Sequence, residues 1–251
     1  MAGQDTRDVR TRQEAPPRGY AALSTRPLYV MVFLLPLVIF YEFGSAYWLR
    51  DPSTGARQAI AAHRMLNDFF HLFGGSVLYL PGIAMMVVLL VWHLLLRDQW
   101  KVRWPILLVM LVESILWTLP LMVLAQMVSA AAQAAAEAGN DQIAALPWQG
   151  RAVVAIGAGL YEEMLFRMVA IAGLHFVLVD LLGVKETPGR VTAIAIAALA
   201  FALYHQDSSG FAFYLLAGLY FGGVYVWRGF GIVVAVHAIY DLAALLLAPA
   251  V

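Results

Sequence analysis

Seven apolar segments, most of them about as long as a bilayer is thick, constrain the fold of this chain more than any other feature. They cover residues 27–49, 76–96, 104–128, 152–182, 191–205, 211–227 and 230–247. An α-helix rises 1.5 Å per residue, so about 20 residues are needed to cross about 30 Å of hydrocarbon. The fifth and sixth segments have only about 15 and 17 residues and are expected inside the bundle, where neighbouring helices supply what lipid cannot. We therefore predict an all-α fold, a polytopic integral membrane helical bundle of about seven transmembrane helices.

The composition agrees with a membrane protein and excludes several other classes. Of the 251 residues, 62% are apolar and 13% are charged, against roughly 45–50% and 25% in soluble domains. The 16 Lys and Arg balance the 16 Asp and Glu, so no net charge attracts the chain to nucleic acid. Because the chain has no Cys, disulfides, thiolate catalysis and Cys-bound metals are excluded.

The polar segments divide the chain into a tail and one membrane domain. Residues 1–26 carry five Arg and two Pro and are predicted to form a flexible basic N-terminal tail. Residues 27–150 are predicted to hold the N-terminal transmembrane helices, and residues 151–251 the remaining ones. Between the apolar segments, residues 56–73 have the pattern of an amphipathic helix at the membrane surface, and residues 130–145 that of a helix outside the bilayer.

Lys and Arg are distributed unequally between the two sides of the predicted membrane. The side of the N-terminus has eleven, which are Arg7, Arg10, Arg12, Arg18, Arg26, Arg97, Lys101, Arg103, Lys185, Arg190 and Arg228. The other side has four, which are Arg50, Arg57, Arg64 and Arg151. Because cytoplasmic loops are enriched in Lys and Arg, the N-terminus is predicted in the cytoplasm and the C-terminus outside. The C-terminus changes side if the segment 56–73 enters the membrane.

The middle of the fourth apolar segment contains three charged residues, Glu162, Glu163 and Arg167. A charge at membrane depth costs at least about 2.5–3.5 kcal/mol on insertion scales and by default indicates a functional site. On a helix, Glu163 and Arg167 lie one turn apart and can form an ion pair, whereas Glu162 points about 100° away. Because Arg167 favours the charge on Glu163, Glu162 is the candidate general base. A structural Glu–Arg clamp between helices is the alternative.

Two histidines and a third carboxylate occupy later segments. His205 ends the fifth segment, and His237 and Asp241 share one helix face in the seventh. A lone membrane His is usually a packing residue, but two of them together with the acidic residues favour a site. In that site Glu162 would take a proton from water and His205 would orient the water or pass the proton to the leaving amine. His237 would stabilise the oxyanion.

Three ordered motifs resemble those of the CPBP family, intramembrane glutamic endopeptidases that include CAAX prenyl endopeptidases and bacterial abortive-infection proteins. They are Glu162-Glu163-x-x-x-Arg167, Phe201-x-x-x-His205 and His237-x-x-x-Asp241, within about residues 150–245. The resemblance implies a peptidase without metal or cofactor, with residues 151–251 as its catalytic part. It further implies that Glu162 and His205 activate water, that His237 and residue 241 form the oxyanion hole, and that Glu163 and Arg167 support them. The implied substrate is a membrane-associated peptide, with or without a lipid modification, in the bacterial cytoplasmic membrane.

Asp241 departs from the family pattern, since many members have Asn at this position. An amide donates a hydrogen bond to an oxyanion, whereas an ionised carboxylate repels it. Either Asp241 is protonated, or it orients His237 and leaves the stabilisation to that ring.

Two other functions stay open. One is a membrane zinc metalloprotease with His205, His237 and Asp241 as ligands, although the chain has no H-E-x-x-H motif. The other is a non-catalytic scaffold or immunity-type protein.

The remaining polar and small residues of the apolar segments have structural interpretations. Glu42 and Glu113 are predicted to be structural, and if one of the two reaches the site, Glu113 is favoured over Glu42. Five glycines are predicted at close contacts between helices; they are Gly157, Gly159, Gly218, Gly222 and Gly223.

Overall fold

A computed structural model of the chain describes residues 19–50, 55, 58–71, 74, 79–128, 143, 145–205 and 210–247. This part of the chain is helical and contains no β-strand. Its helices are α1 (Tyr20–Ser24), α2 (Pro27–Trp48), α3 (Ala61–His71), α4 (Leu80–Leu96), α5 (Trp104–Met127), α6 (Trp148–Leu181), α7 (Glu186–Tyr204), α8 (Phe211–Arg228) and α9 (Phe230–Leu247). The prediction of an all-α membrane bundle is confirmed.

Each of the seven apolar segments forms a helix, and one of them is longer than expected. Helices α2, α5, α6 and α7 are long and apolar enough to cross a membrane, whereas α4 and α9 are shorter apolar helices. The helix that contains the fifth segment is longer than the apolar segment itself, because α7 begins at Glu186 and has 19 residues. Its polar first turn includes Pro188, which is tolerated there because the first N–H groups of a helix have no partner within the helix.

The longest helix, α6, changes its winding in the middle. It is α-helical over Trp148–Glu163, π-helical over Met164–Ile171, and then has a short α-helical turn and a second π-helical stretch, Phe176–Leu181. The first widened turn begins directly after Glu163. Such π-turns within helices are frequent at functional sites.

Helices α6 and α9 pack side by side in the centre of the bundle, with α2 and α5 against them. Gly159 permits this approach, since a Cβ atom at this position would lie 2.8 Å from the carbonyl oxygen of Val234. The prediction of close helix contacts is confirmed for Gly157, Gly159, Gly218 and Gly222. It is wrong for Gly223, which has no atom of another described element within 4 Å of its Cβ position.

The segment before the first long helix corrects the predicted tail. Residues 1–18 lie outside the described residues, but Tyr20–Ser24 form helix α1, and Ser24 is buried. The Ser24 hydroxyl accepts a hydrogen bond from Arg228 Nη2 at 3.1 Å. The tail prediction is wrong for this helix because its side chains have partners in the bundle.

The segment between α2 and α4 contains the predicted amphipathic helix. Helix α3 buries Ala62, His63 and Leu66 against the bundle, while Met65 and Phe69 are exposed. It contacts α4 and α6. The second connecting helix was predicted at 130–145, of which residues 130–142 and 144 lie outside the described residues.

Candidate active site

Helices α6, α7 and α9 bring the predicted charged and histidine side chains together. His205, the residue directly after α7, places its Nε2 atom 3.7 Å from Glu162 Oε2. His237 of α9 places its Nε2 atom 3.9 Å from the same oxygen. We call the six predicted residues the site cluster; they are Glu162, Glu163, Arg167, His205, His237 and Asp241.

Glu163 contacts both a cation and an imidazole ring. Its Oε1 atom lies 3.0 Å from Arg167 Nη1 and 2.7 Å from His237 Nδ1. Because an ionised carboxylate only accepts hydrogen bonds, His237 Nδ1 carries a hydrogen and donates it. The predicted ion pair between Glu163 and Arg167 is thus confirmed, and the other ring nitrogen of His237 is left to face Glu162.

Arg167 is enclosed by aromatic rings and by backbone. Its guanidinium carbon lies 4.5 Å from the ring centroid of Phe201 and 5.2 Å from that of Phe221. Its Nη2 atom donates to the carbonyl oxygen of Gly218 at 3.4 Å. Cation–π contacts are strongest when the cation is desolvated. These contacts fix the guanidinium beside Glu163.

The orientation of His205 is fixed on two sides. Its Nδ1 atom donates to the carbonyl oxygen of Phe201 at 2.9 Å. Its ring stacks on Tyr214 of α8, with the centroids 4.0 Å apart and the planes at 13°. In a neutral ring that donates from Nδ1, Nε2 carries the lone pair. That lone pair is directed towards Glu162 and is available to a water molecule.

Glu162 has the most unusual environment in the site cluster. It is buried, and its Oε2 atom has no hydrogen-bond partner among the described residues. An unpaired buried oxygen costs about 1–3 kcal/mol, or more when it is charged. The distances of 3.7 and 3.9 Å to the two imidazoles are too long for direct hydrogen bonds. A water molecule between these groups would satisfy the oxygen.

Access to the cluster comes from the side of His205 and Asp241. The side chains of Glu163 and Arg167 are 0% and 1% exposed, whereas those of His205 and Asp241 are 20% and 24% exposed. The ion pair is therefore the floor of the site, and His205 and Asp241 lie at its mouth.

The comparison with protein families agrees with this geometry. Residues 144–243 match the family model described as Type II CAAX prenyl endopeptidase Rce1-like. The chain carries an Rce1-like domain. This family consists of CAAX prenyl endopeptidases, membrane-embedded peptide hydrolases, so the match supports a membrane-embedded peptidase, as the resemblance to the CPBP family predicted. No curated protein matches the chain, and no solved structure matches it either.

Asp241 lies at the mouth of the Rce1-like site and contacts His237. Its Oδ2 atom is 3.4 Å from His237 Nε2. The prediction that these two residues share a helix face is confirmed. The carboxylate thus touches the ring nitrogen that also faces Glu162.

A hydrogen bond between Tyr161 and Glu42, which the sequence did not predict, lies beside the site cluster. Tyr161, which precedes Glu162, donates its hydroxyl hydrogen to Glu42 Oε1 at 2.6 Å. The Tyr161 ring also packs on His63 of α3, with ring centroids 4.6 Å apart. These contacts fix the helix position next to Glu162. The polar residues Glu42 and His63 within largely apolar helices were the sequence signal for a polar contact. Their partner could not be predicted, because Tyr161 is 119 positions from Glu42.

Glu113 lies outside the site cluster and has the structural role that was predicted for it. It pairs with Arg228 at the end of α8, and it also accepts hydrogen bonds from Tyr20 and Trp117. The preference for Glu113 over Glu42 as the residue nearer the site is wrong, because Glu42 is the one that contacts Tyr161, the neighbour of Glu162.

The arrangement gives no support to a zinc site in the Rce1-like domain. Among the described residues, no group of three or more His, Asp and Glu side chains could hold a metal ion.

Proposed function

We propose that this chain is a metal-independent glutamic endopeptidase that hydrolyses a peptide bond of a membrane-associated substrate. The observation that carries this proposal is the Oε2 atom of Glu162, which is buried without a partner among the described residues and faces two imidazole rings. A folded protein retains such an unpaired group at a cost in stability, which favours a use in catalysis. The family match supports peptide hydrolysis as the reaction.

In the proposed reaction Glu162 takes a proton from a water molecule that His205 Nε2 orients. The resulting hydroxide attacks the carbonyl carbon of the scissile bond, and the carbonyl oxygen becomes an oxyanion. His237, when its ring is protonated, donates from Nε2 to that oxyanion. When the tetrahedral intermediate collapses, the C–N bond breaks and the leaving amine receives the proton held by Glu162, directly or through His205. The products are a carboxylic acid and an amine.

The other members of the site cluster act through His237. Glu163 accepts from His237 Nδ1, and Arg167 neutralises the charge of Glu163. We assign both residues to positioning, since neither faces the space between the imidazoles. The 3.4 Å contact between Asp241 and His237 Nε2 favours the interpretation that Asp241 orients the ring.

We further propose a bacterial cytoplasmic membrane location with the N-terminus in the cytoplasm. The eleven Lys and Arg on the side of the N-terminus, against four on the other side, support this orientation. The substrate is proposed to be a peptide segment in or at the membrane, with or without a lipid modification, and residues 151–251 are proposed as the catalytic part.

Peptide cleavage by the full chain, purified and reconstituted in liposomes, tests the mechanism. Lipid-modified and unmodified peptide libraries are incubated with the wild type and with Glu162→Gln, and the products are identified by mass spectrometry. Loss of the general base is expected to lower kcat by about 10²- to 10⁴-fold. Glu186→Gln is the matched control, because this glutamate is 54% exposed and pairs with Arg190 outside the site.

Three results would redirect the assignment. Cleavage by Glu162→Gln at the wild-type rate would remove Glu162 from the mechanism. Cleavage that a chelator abolishes would favour the zinc metalloprotease. A folded wild-type protein that cleaves no peptide would favour the scaffold or immunity-type function.

A further inference from the structure

We propose that the active site opens to the extracytoplasmic side of the membrane, so that the peptide substrate reaches it from that side. The reaction at this site is taken from the proposed function. The side to which the site opens is inferred from the position of the site cluster in the bundle and from the distribution of charge between the two ends of the bundle.

The site cluster opens at the end of the bundle where α7 connects to α8. His205 is the first residue after α7, and its ring stacks on Tyr214 in the first turn of α8. The exposed side chains of the cluster are His205 and Asp241, and Asp241 lies in the C-terminal half of α9. Since successive spans run in opposite directions, the end of α7, the start of α8 and the end of α9 lie on one side.

Helix α3 lies at this same end of the bundle. It belongs to the connection between α2 and α4, and its buried His63 packs against Tyr161, the neighbour of Glu162. Glu42, which accepts the Tyr161 hydrogen bond, lies in the last third of α2. The α2–α4 and α7–α8 connections therefore flank the site together.

The opposite end of the bundle is held together by its own contacts. Arg26, just before α2, forms an ion pair of 2.9 Å with Asp98 in the α4–α5 connection. Arg228, at the α8–α9 connection, donates to Ser24 of α1 at 3.1 Å. The connections that carry these residues consequently form one face, which lies away from His205.

The two ends differ in Lys and Arg content in the way that cytoplasmic and extracytoplasmic sides differ. Among the described residues, the end formed by α1 and the α4–α5, α6–α7 and α8–α9 connections carries seven of them, Arg26, Arg97, Lys101, Arg103, Lys185, Arg190 and Arg228. The end with the site mouth carries three, Arg50, Arg64 and Arg151. The excess of Lys and Arg identifies the cytoplasmic side, so the mouth is on the extracytoplasmic side.

This position defines the substrate class more narrowly than the reaction does. The substrate is a polypeptide segment that is exposed on the extracytoplasmic side, either as part of a membrane-anchored protein or after translocation. A peptide confined to the cytoplasmic leaflet, whether lipid-modified or not, would not reach His205 and Asp241.

Single cysteines test the orientation independently of activity, because the chain has no natural Cys. Asp68→Cys places a thiol on the exposed face of α3, and Lys185→Cys places one in the exposed α6–α7 connection. Spheroplasts that express each variant are treated with a membrane-impermeant maleimide before and after lysis. We expect Asp68→Cys to be labelled in intact spheroplasts and Lys185→Cys to be labelled only after lysis. Reactivity of both thiols after lysis is the control. If this control is met, any other labelling pattern in intact spheroplasts overturns the proposal.

A cleavage assay in the same spheroplasts connects the orientation to the reaction. A membrane-impermeant peptide, identified as a substrate with purified enzyme, is added outside spheroplasts that express the wild type or Glu162→Gln. We expect wild-type cleavage at a rate within about twofold of that after lysis and at least 100-fold above Glu162→Gln. Cleavage that occurs only after lysis would overturn the extracytoplasmic opening but keep the proposed function. Equal cleavage by the two forms would contradict the proposed function, and the thiol labelling would still decide the side.

Discussion

Two clusters of buried charge lie in this bundle, and they differ in how completely their polar atoms are paired. One is the site cluster around Glu162. The other, which we call the anchoring cluster, joins α1, α5 and α8 around an ion pair; it consists of Tyr20, Ser24, Glu113, Trp117 and Arg228. Both contain a carboxylate and an arginine within apolar helices, and the sequence alone does not separate them.

In the anchoring cluster, both oxygens of Glu113 have partners. Oε2 accepts from Arg228 at 2.8 Å and from Tyr20, and Oε1 accepts from Trp117 at 3.2 Å and from Arg228. Arg228 Nη2 also donates to the hydroxyl oxygen of Ser24 at 3.1 Å. This is the pattern of a structural ion pair, in which hydrogen bonds compensate for the loss of water.

In the site cluster, one oxygen of Glu162 and one of Glu163 have no hydrogen-bond partner among the described residues. His205 and Asp241 give the cluster an exposed mouth. A charge within a membrane helix therefore indicates a reaction only where it is incompletely paired and accessible to water. Substitutions in the two clusters test whether incomplete pairing separates the catalytic charge from the structural charge.

Neutralising Glu163 is expected to damage both activity and stability. Glu163→Gln removes the charge that pairs with Arg167 and weakens the hydrogen bond that orients His237. We expect kcat to fall by at least about 10²-fold and the free energy of unfolding to fall by about 3–5 kcal/mol, because a buried arginine is left unpaired. Peptide cleavage and thermal unfolding in detergent measure the two effects.

A double variant separates these two effects. Glu163→Leu combined with Arg167→Met removes both charges, and replacement of a whole buried pair by apolar side chains is often neutral or stabilising. We expect stability to return while cleavage stays low, since nothing then holds His237. Recovery of cleavage together with stability would show that the pair has only a structural role.

Neutralising Glu113 is expected to affect stability alone. Glu113→Gln leaves Arg228 without its counter-charge, and we expect the free energy of unfolding to fall by about 3 kcal/mol. The kcat of the folded fraction, measured below the unfolding temperature, is expected to equal that of the wild type. A loss of kcat as large as that of Glu162→Gln would mean that the two clusters are not functionally distinct.

Contacts within one helix could be predicted from the sequence, and contacts between distant segments could not. The pairs Glu163–Arg167 and His237–Asp241 follow from helix geometry, since residues four apart share a face. The convergence of Glu162, His205 and His237 was expected from the cost of polar groups at membrane depth and from the resemblance to a family, but not from helix geometry. The seven helices followed from hydropathy, because lipid requires every backbone hydrogen bond to be made within a helix.

The errors have a common physical cause. Glu113 was favoured over Glu42 as the residue nearer the site, but its partner Arg228 is 115 positions away and lies at a helix end that hydropathy places at the membrane boundary. Helix α1 was assigned to the tail because its five residues are stabilised by contacts with α2 and α5 rather than by a pattern of their own. Gly223 was expected at a helix contact because composition indicates small residues but not the face on which they lie.

Two glycine variants test how closely α6 and α9 must approach at the site. In Gly159→Ala the new Cβ would lie 2.7 Å from Ala238 Cβ and 2.8 Å from a backbone oxygen of α9. Because backbone cannot move aside locally, we expect a loss of about 1–3 kcal/mol in stability and a lower kcat, as His237 shifts from Glu162. Gly223→Ala is the matched control, with no described neighbour within 4 Å. It is expected to be neutral or stabilising by up to about 1 kcal/mol, and an equal effect of both variants would contradict the close-packing explanation.

A small gain in kcat is expected at Asp241, which departs from the family pattern. Asp241→Asn replaces a carboxylate at His237 Nε2 with an amide that can donate to the oxyanion. One additional neutral hydrogen bond contributes about 1 kcal/mol, so kcat is expected to rise by about fivefold, with KM nearly unchanged. This expectation holds if the amide orients the His237 ring as well as the carboxylate does. If only a carboxylate can orient the ring, kcat falls, because the ring loses its position at the oxyanion. The direction of the change in kcat, measured beside Glu162→Gln as the inactive reference, therefore determines whether the orientation of His237 requires the charge of Asp241.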